Sequence, residues 1–200
     1  MARVFLLSPA HAGGRRATYL FNPAATFALA RRLHAGEAVA LGEIFEFLSG
    51  LYFRGKRAYA AVFGGSLAGG AGSWVITTTR GLMPTETPVT LRELQELGAV
   101  DIDAGEPRYR EPLIESAKEL ADRETADLVL LGSISTTKYV EPLSAVFGER
   151  LWFPAEFVGR GDMSRGALLL RRAREGRELE YQRLAGVVQR GPRARRASET

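Results

Sequence analysis

The stretch DLVLLGSISTTK, residues 127–138, decides the fold. Four apolar residues in succession, Leu128 to Leu131, follow one charge and end at a glycine; the run is too short for a buried helix and has the length of a buried strand. Gly132 then turns the chain. Ser133, Ser135, Thr136 and Thr137 are residue types that close turns and cap helices, so the next helix is expected to run through Phe147. Strand, polar glycine-bearing loop and helix together form the repeating unit of an α/β protein.

Further strands are expected at Arg3–Leu7, at residues 74–78, at residues 100–102 and at residues 151–153. Asn22-Pro23 reads as a helix start, because Asn caps free amides and Pro fits the first helical position. A longer helix is expected over residues 41–63, where Leu41, Ile44, Phe45, Leu48, Tyr52, Tyr59 and Val62 share one stripe; Gly50 and Gly55 are its points of bending. Two more are expected over residues 91–97, capped by Thr90, and over residues 111–123. Residues 64–72, GGSLAGGAG, follow a helix and precede a strand, the reverse of a phosphate cradle, and are read as a flexible connector. Near the end, residues 167–174 and 178–184 are read as two strands turning at Glu175-Gly176, since Leu179, Tyr181 and Leu184 fit a helical stripe poorly; the other reading is one helix from near Asp162. The expected architecture is α/β: a single domain over residues 1–185 with a mostly parallel central sheet flanked by helices and a C-terminal β-hairpin.

Composition narrows the function classes. The chain has 200 residues, of which 46% are hydrophobic, and no apolar run nears the ~18 residues of a membrane span, so a cytoplasmic protein is expected. With no cysteine, disulfides, thiolate metal sites and cysteine nucleophiles are all excluded, and two histidines exclude a His-rich metal centre. Of the net charge of +4, residues 186–200 carry +3, through Arg190, Arg193, Arg195 and Arg196 against Glu199. That segment is expected to be a basic, disordered tail on a nearly neutral body. Neither G-x-x-x-x-G-K-[ST] nor G-x-G-x-x-G occurs.

Ligands of open α/β sheets collect beyond the carboxyl ends of the strands. Three strand ends here run into polar, glycine-bearing loops, residues 8–16, 77–81 and 132–138, and residues 159–165 form a fourth polar segment. They offer Ser8, Arg15, Arg16, Thr78, Arg80, Ser133, Thr136, Lys138, Arg160 and Arg165 as candidate ligand-binding residues. Arginine forks and hydroxyls in that mixture suit a phosphate-bearing ligand. For proton transfer the one His-carboxylate grouping the sequence offers is His11 with Asp162 and Glu156. No metal or cofactor is expected.

Three segments carry a family resemblance: Leu7-Ser8-Pro9-Ala10, LYFRGKRAY at residues 51–59, and WVITTTRGLMPTETPV at residues 74–89. In this order they resemble the YaaA-like peroxide-stress proteins and their uncharacterised bacterial relatives, over the first 90 residues or so. His11 stands where that family usually has Lys, and the family's Tyr-Arg-Leu-Glu-Met segment is missing. The resemblance implies DNA binding and a part in limiting oxidative damage, and it brings no defined catalytic residues. The leading expectation is therefore a protein that binds a nucleotide or nucleic acid at its strand-end loops, in a stress or DNA-maintenance setting. The alternatives are an enzyme acting on a small phosphorylated or nucleoside-like substrate in the same cleft, and a protein-interaction module with no small ligand.

Overall fold

The computed structural model of the chain describes residues 2–185; the basic segment at residues 186–200 lies outside the described residues. Strand β1 (Arg3–Leu7) leads into helices α1 (Arg15–Phe21) and α2 (Ala28–His34), then β2 (Val39–Ala40), α3 (Leu41–Ser49) and α4 (Leu51–Phe63). Next come β3 (Ser73–Ile76), β4 (Leu82–Pro84), β5 (Pro88–Val89), α5 (Leu91–Gly98) and α6 (Pro107–Arg123). The chain ends with β6 (Asp127–Leu131), α7 (Thr137–Phe147), β7 (Leu151–Pro154), α8 (Asp162–Glu175) and β8 (Tyr181–Arg183). Six strands form one sheet in the order β4-β3-β1-β6-β7-β8, while β2 and β5 pair separately. The four central strands are parallel, and β4 and β8 close the edges antiparallel.

Alternation along the strands divides the apolar residues between two cores. Phe5, Leu7, Val75, Val129 and Leu131 face α1 to α5 and α8, whereas Val4, Leu6, Ile76, Leu128, Leu130, Leu151 and Phe153 face α6 and α7. Both faces of β1 and β6 are covered, which is why these strands are apolar at every position from Val4 and from Leu128 onward. The crossover from β1 to β3 runs over the first face, the one from β6 to β7 over the second, and the two leave in opposite directions along the sheet. The gap between β1 and β6 is therefore the topological switch point, where the loops diverge and leave a crevice.

The α/β class, the mostly parallel sheet and the flanking helices agree with the sequence reading, and so does Thr90, which closes a full capping box with Glu93 on α5. Several details differ. Helix α1 begins at Arg15, because Ala17 and Leu20 bury its inner face, and Asn22 ends it: its backbone N–H bonds Thr18. Residues 41–63 form two helices, since Gly50 at φ 64° turns the chain between them. Residues 100–102 form no strand; instead Val100 packs against the second core from a loop. Strand β4 was not expected. It pairs with β3 across a turn that needs a glycine at Gly81, φ 62°.

The C-terminal antiparallel pair is present, formed by β7 and β8. Its composition corrects the expected one, because residues 167–174 are helical and lie within α8. The reason is local, since ALLLRRAR consists of strong helix formers, and the packing supports it: α8 crosses α4 where two glycines meet. A Cβ on Gly55 would stand 2.6 Å from the Gly166 carbonyl oxygen, and one on Gly166 would stand 2.8 Å from the Leu51 carbonyl oxygen. Leu168 and Leu169 are buried beside that crossing. Gly176, expected as a hairpin turn, is the left-handed residue that ends α8.

Replacing Gly166 by Val forces these backbones apart and is expected to cost at least the ~1–3 kcal/mol typical of overpacking. Urea unfolding followed by circular dichroism measures it; an unchanged midpoint rules out the close crossing.

Candidate functional site

At the switch point the ladder between β1 and β6 runs one residue beyond the strands. Leu7 pairs with Leu131, and the Ser8 N–H donates to the Leu131 carbonyl at 3.2 Å, so Ser8 stands beside Gly132. A Cβ on Gly132 would lie 2.9 Å from the Ser8 Cβ, 3.3 Å from Ser8 Oγ and 3.2 Å from the Tyr139 hydroxyl. Glycine thus lets Ser8 and Tyr139 approach across the crevice. The Ser133 N–H donates to the Tyr139 hydroxyl at 3.1 Å, which holds the phenol at the start of α7.

Below Ser8 lies Lys56. It belongs to the inner stripe of α4, four residues after Tyr52 and three before Tyr59, and is 1% exposed. Its Nζ donates to the Ser8 carbonyl oxygen at 2.6 Å and stands 2.9 Å from Ser8 Oγ. The same nitrogen lies 4.4 Å from the ring centroid of Tyr52 and 4.8 Å from that of Phe53. Lys56 makes no ion pair among the described residues. Burial pulls its pKa from the ordinary lysine range down to about 7, against a smaller opposing pull from Asp162.

Around this pair the polar groups are only partly satisfied. The hydroxyls of Tyr52 and Tyr109 are buried without a hydrogen-bond partner among the described residues. Burial pushes the Tyr52 phenol well above its ordinary pKa, and the Arg165 guanidinium opposes that shift. Tyr139 is raised for the same reason, with the Ser133 amide, Ser8 and Arg165 pulling the other way. Helix α8 therefore brings Arg165 and Asp162 near the tyrosines, with 3.4 Å between Arg165 Nη1 and Asp162 Oδ1.

Of the residues singled out from the sequence, Ser8, Ser133 and Arg165 join this cluster, and Thr136 and Lys138 begin the helix beside it. The Thr136 side chain caps α7 by accepting from the Lys138 N–H, and the Lys138 side chain is exposed. Arg15 and Arg16 lie exposed on α1, where Arg16 donates to the Phe47 carbonyl oxygen. Thr78 is buried and donates to the Leu97 carbonyl. Arg80 is held between Glu93 and Glu96, and Arg160 binds the Glu156 carbonyl oxygen and Ser164. His11 folds over its own loop, against Gly13 and Gly14, and no hydrogen bond joins it to Asp162 or Glu156 among the described residues. Glu156 faces Arg172 at 3.7 Å.

Surface grooves lie elsewhere on the molecule. The one between α4 and β3, lined by Glu46, Arg57, Gly64 and Glu86, already has its cation paired with both carboxylates. Among the described residues no cluster of three or more His, Asp or Glu is placed to hold a metal ion, and no helix is long and apolar enough to cross a membrane. No known protein family model, curated protein or solved structure matches the chain.

Sequence reasoning missed Lys56, Tyr52 and Tyr139. For Lys56 the signal was present: a lysine inside an otherwise apolar helical stripe, where its charge has nowhere to go. Its depressed pKa has a thermodynamic consequence. Between about pH 7 and the ordinary lysine value the unfolded chain binds a proton that the folded chain does not, so stability rises with pH in that window; below it both states are charged and the cost of burial is felt in full. Relative to Lys56→Met, the native protein is expected to gain up to ~1.4 kcal/mol per pH unit from pH 7 to 10, measured by urea unfolding at half-unit steps. Parallel pH curves for the two proteins would contradict a buried, titrating Lys56.

Proposed function

We propose that this chain binds a small anionic ligand, of the nucleotide or phosphosugar class, in the crevice between the ends of β1 and β6. The observation that carries this reading is the Tyr52 hydroxyl, buried without a well-formed hydrogen bond among the described residues and close to the Arg165 guanidinium, with Lys56 over its ring, at the point where an open parallel sheet places its ligands. A phosphoryl or carboxylate oxygen supplies the acceptor that Tyr52 lacks. The first amides of α7 and the exposed Lys138 side chain add donors of the right sign on the other wall.

A small ligand fits better than a nucleic-acid backbone. A duplex needs a continuous row of free cations, whereas Arg16, Arg80, Arg160 and Arg165 are engaged by backbone carbonyls or carboxylates. The resemblance to YaaA-like proteins keeps DNA among the ligands to be tested, with a stress or DNA-maintenance setting attached to that outcome.

A thermal-shift series with nucleoside mono-, di- and triphosphates, sugar phosphates and a short DNA duplex tests the proposal. One of the small phosphates is expected to stabilise the protein by ~2.7 kcal/mol when present at a hundred times its Kd. Lys138→Ala is expected to weaken that ligand about tenfold, the value of one charge-assisted contact. Silence across all small phosphates, or binding of the duplex alone with a steep salt dependence, overturns the small-ligand reading.

A further inference from the structure

We infer that Ser8 and Lys56 form a nucleophile and general-base pair for acyl transfer, acting on an ester whose leaving group carries an anionic handle. The handle rests on the ligand reading above; the pair itself does not.

The geometry is that of an activated serine. A neutral amine has two N–H groups and one lone pair. Lys56 Nζ donates to the Ser8 carbonyl oxygen at 2.6 Å and to Ser8 Oγ at 2.9 Å; loss of the proton aimed at Oγ turns the lone pair of the neutral amine toward the Ser8 hydroxyl. Neither partner is free to wander. Ser8 is pinned by the hydrogen bond from its N–H to the Leu131 carbonyl, and the Lys56 nitrogen is held over the Tyr52 and Phe53 rings. Lys56 is 1% exposed and Ser8 7% exposed, so of the two it is the hydroxyl that solvent reaches more readily. A purely structural reading leaves an amine taken out of water with no carboxylate beside it, satisfied by one carbonyl and one hydroxyl.

The surrounding groups fit the same chemistry. Among the described residues, four titratable or charged groups surround the pair: Tyr52 on the same helix, Tyr139 on α7, and Asp162 and Arg165 on α8. Asp162 favours the protonated amine, against the larger effect of burial, and it pairs with Arg165 at 3.4 Å. Because the Tyr139 hydroxyl accepts from the Ser133 N–H, its own proton is available to an oxyanion forming next to Ser8.

In the step so defined, Ser8 Oγ forms a bond to the ester carbonyl carbon as its proton passes to Lys56 Nζ. Collapse of the tetrahedral intermediate breaks the bond to the leaving alkoxide, which takes that proton from Lys56. Water then attacks the acyl-serine and gives a proton to Lys56, which returns it to Ser8 Oγ as the carboxylic acid departs. The sum is ester plus water to alcohol plus acid.

A fluorophosphonate probe tests the pair without knowledge of the substrate, since attack by Ser8 expels fluoride and leaves a stable adduct located by peptide mass spectrometry. The expected result is one adduct on Ser8, absent in Ser8→Ala, formed at a rate that rises as pH increases through about 7. Lys56→Met and Lys56→Arg are each expected to slow it at least 100-fold, because neither side chain takes up the proton. No adduct on the folded native protein at pH 8.5, an adduct that survives Ser8→Ala, or a rate flat from pH 6 to 9 overturns the proposal. The pH profile needs no variant and decides the matter even if Lys56 variants do not fold. Labelling of Ser8 without any phosphate thermal shift removes only the anionic handle; a thermal shift without labelling removes only the pair.

Discussion

The structure depends on β1, the strand flanked in parallel by β3 and β6 and sealed on both faces. Its side chains from Val4 to Leu7, and those of β6 from Leu128 to Leu131, are wholly buried. At roughly 1.5–3 kcal/mol for each large apolar side chain, as an upper estimate, these two strands hold more burial energy than a typical domain's net stability. Everything attached to their ends inherits that rigidity. Ser8 follows Leu7 and Gly132 follows Leu131, so their relative position is set by the ladder rather than by a loop.

A second constraint brings the amine to the hydroxyl. Helix α4 packs against the first face with Phe53 and Tyr59 inward, and α8 crosses it with Gly55 against Gly166. That close approach draws Arg165 and Asp162 toward the tyrosines of α4 and α7. A larger residue at the crossing would separate the helices and move the cations from the crevice. The packing that stabilises the first core and the charge arrangement of the candidate site are thus one set of contacts.

Elsewhere the surface cations serve the fold. Arg57 ties α4 to Glu46 and Glu86, and Arg80 ties the β3–β4 turn to α5 through Glu93 and Glu96. Such exposed pairs contribute little individually. They do explain how a chain rich in arginine leaves few cations open at the strand ends. Glu124 plays a related part in the glycine-rich connector, accepting from Ser66, from the Leu67 and Ala68 amides and from the Ala126 amide. The segment links helix and strand as expected, but Glu124 holds it through several hydrogen bonds where a flexible connector was expected.

The sequence alone determined what depends on local pattern. Unbroken apolar runs at residues 4–7 and 128–131 imposed buried strands, Thr90 with Glu93 imposed a helix start, and the alternation of strands and helices imposed an α/β sheet with polar loops at its strand ends. Only the tertiary structure decided the rest. Residues 167–174, ALLLRRAR, consist of strong helix formers, a local signal the strand reading overlooked; what the tertiary structure decided is where that helix packs, with Gly166 against Gly55 of α4. The partnership of Ser8 with Lys56 spans 48 residues of chain and has no motif. It exists because a strand end and a helix face meet in a core where, among the described residues, the lysine has no other hydrogen-bond partner.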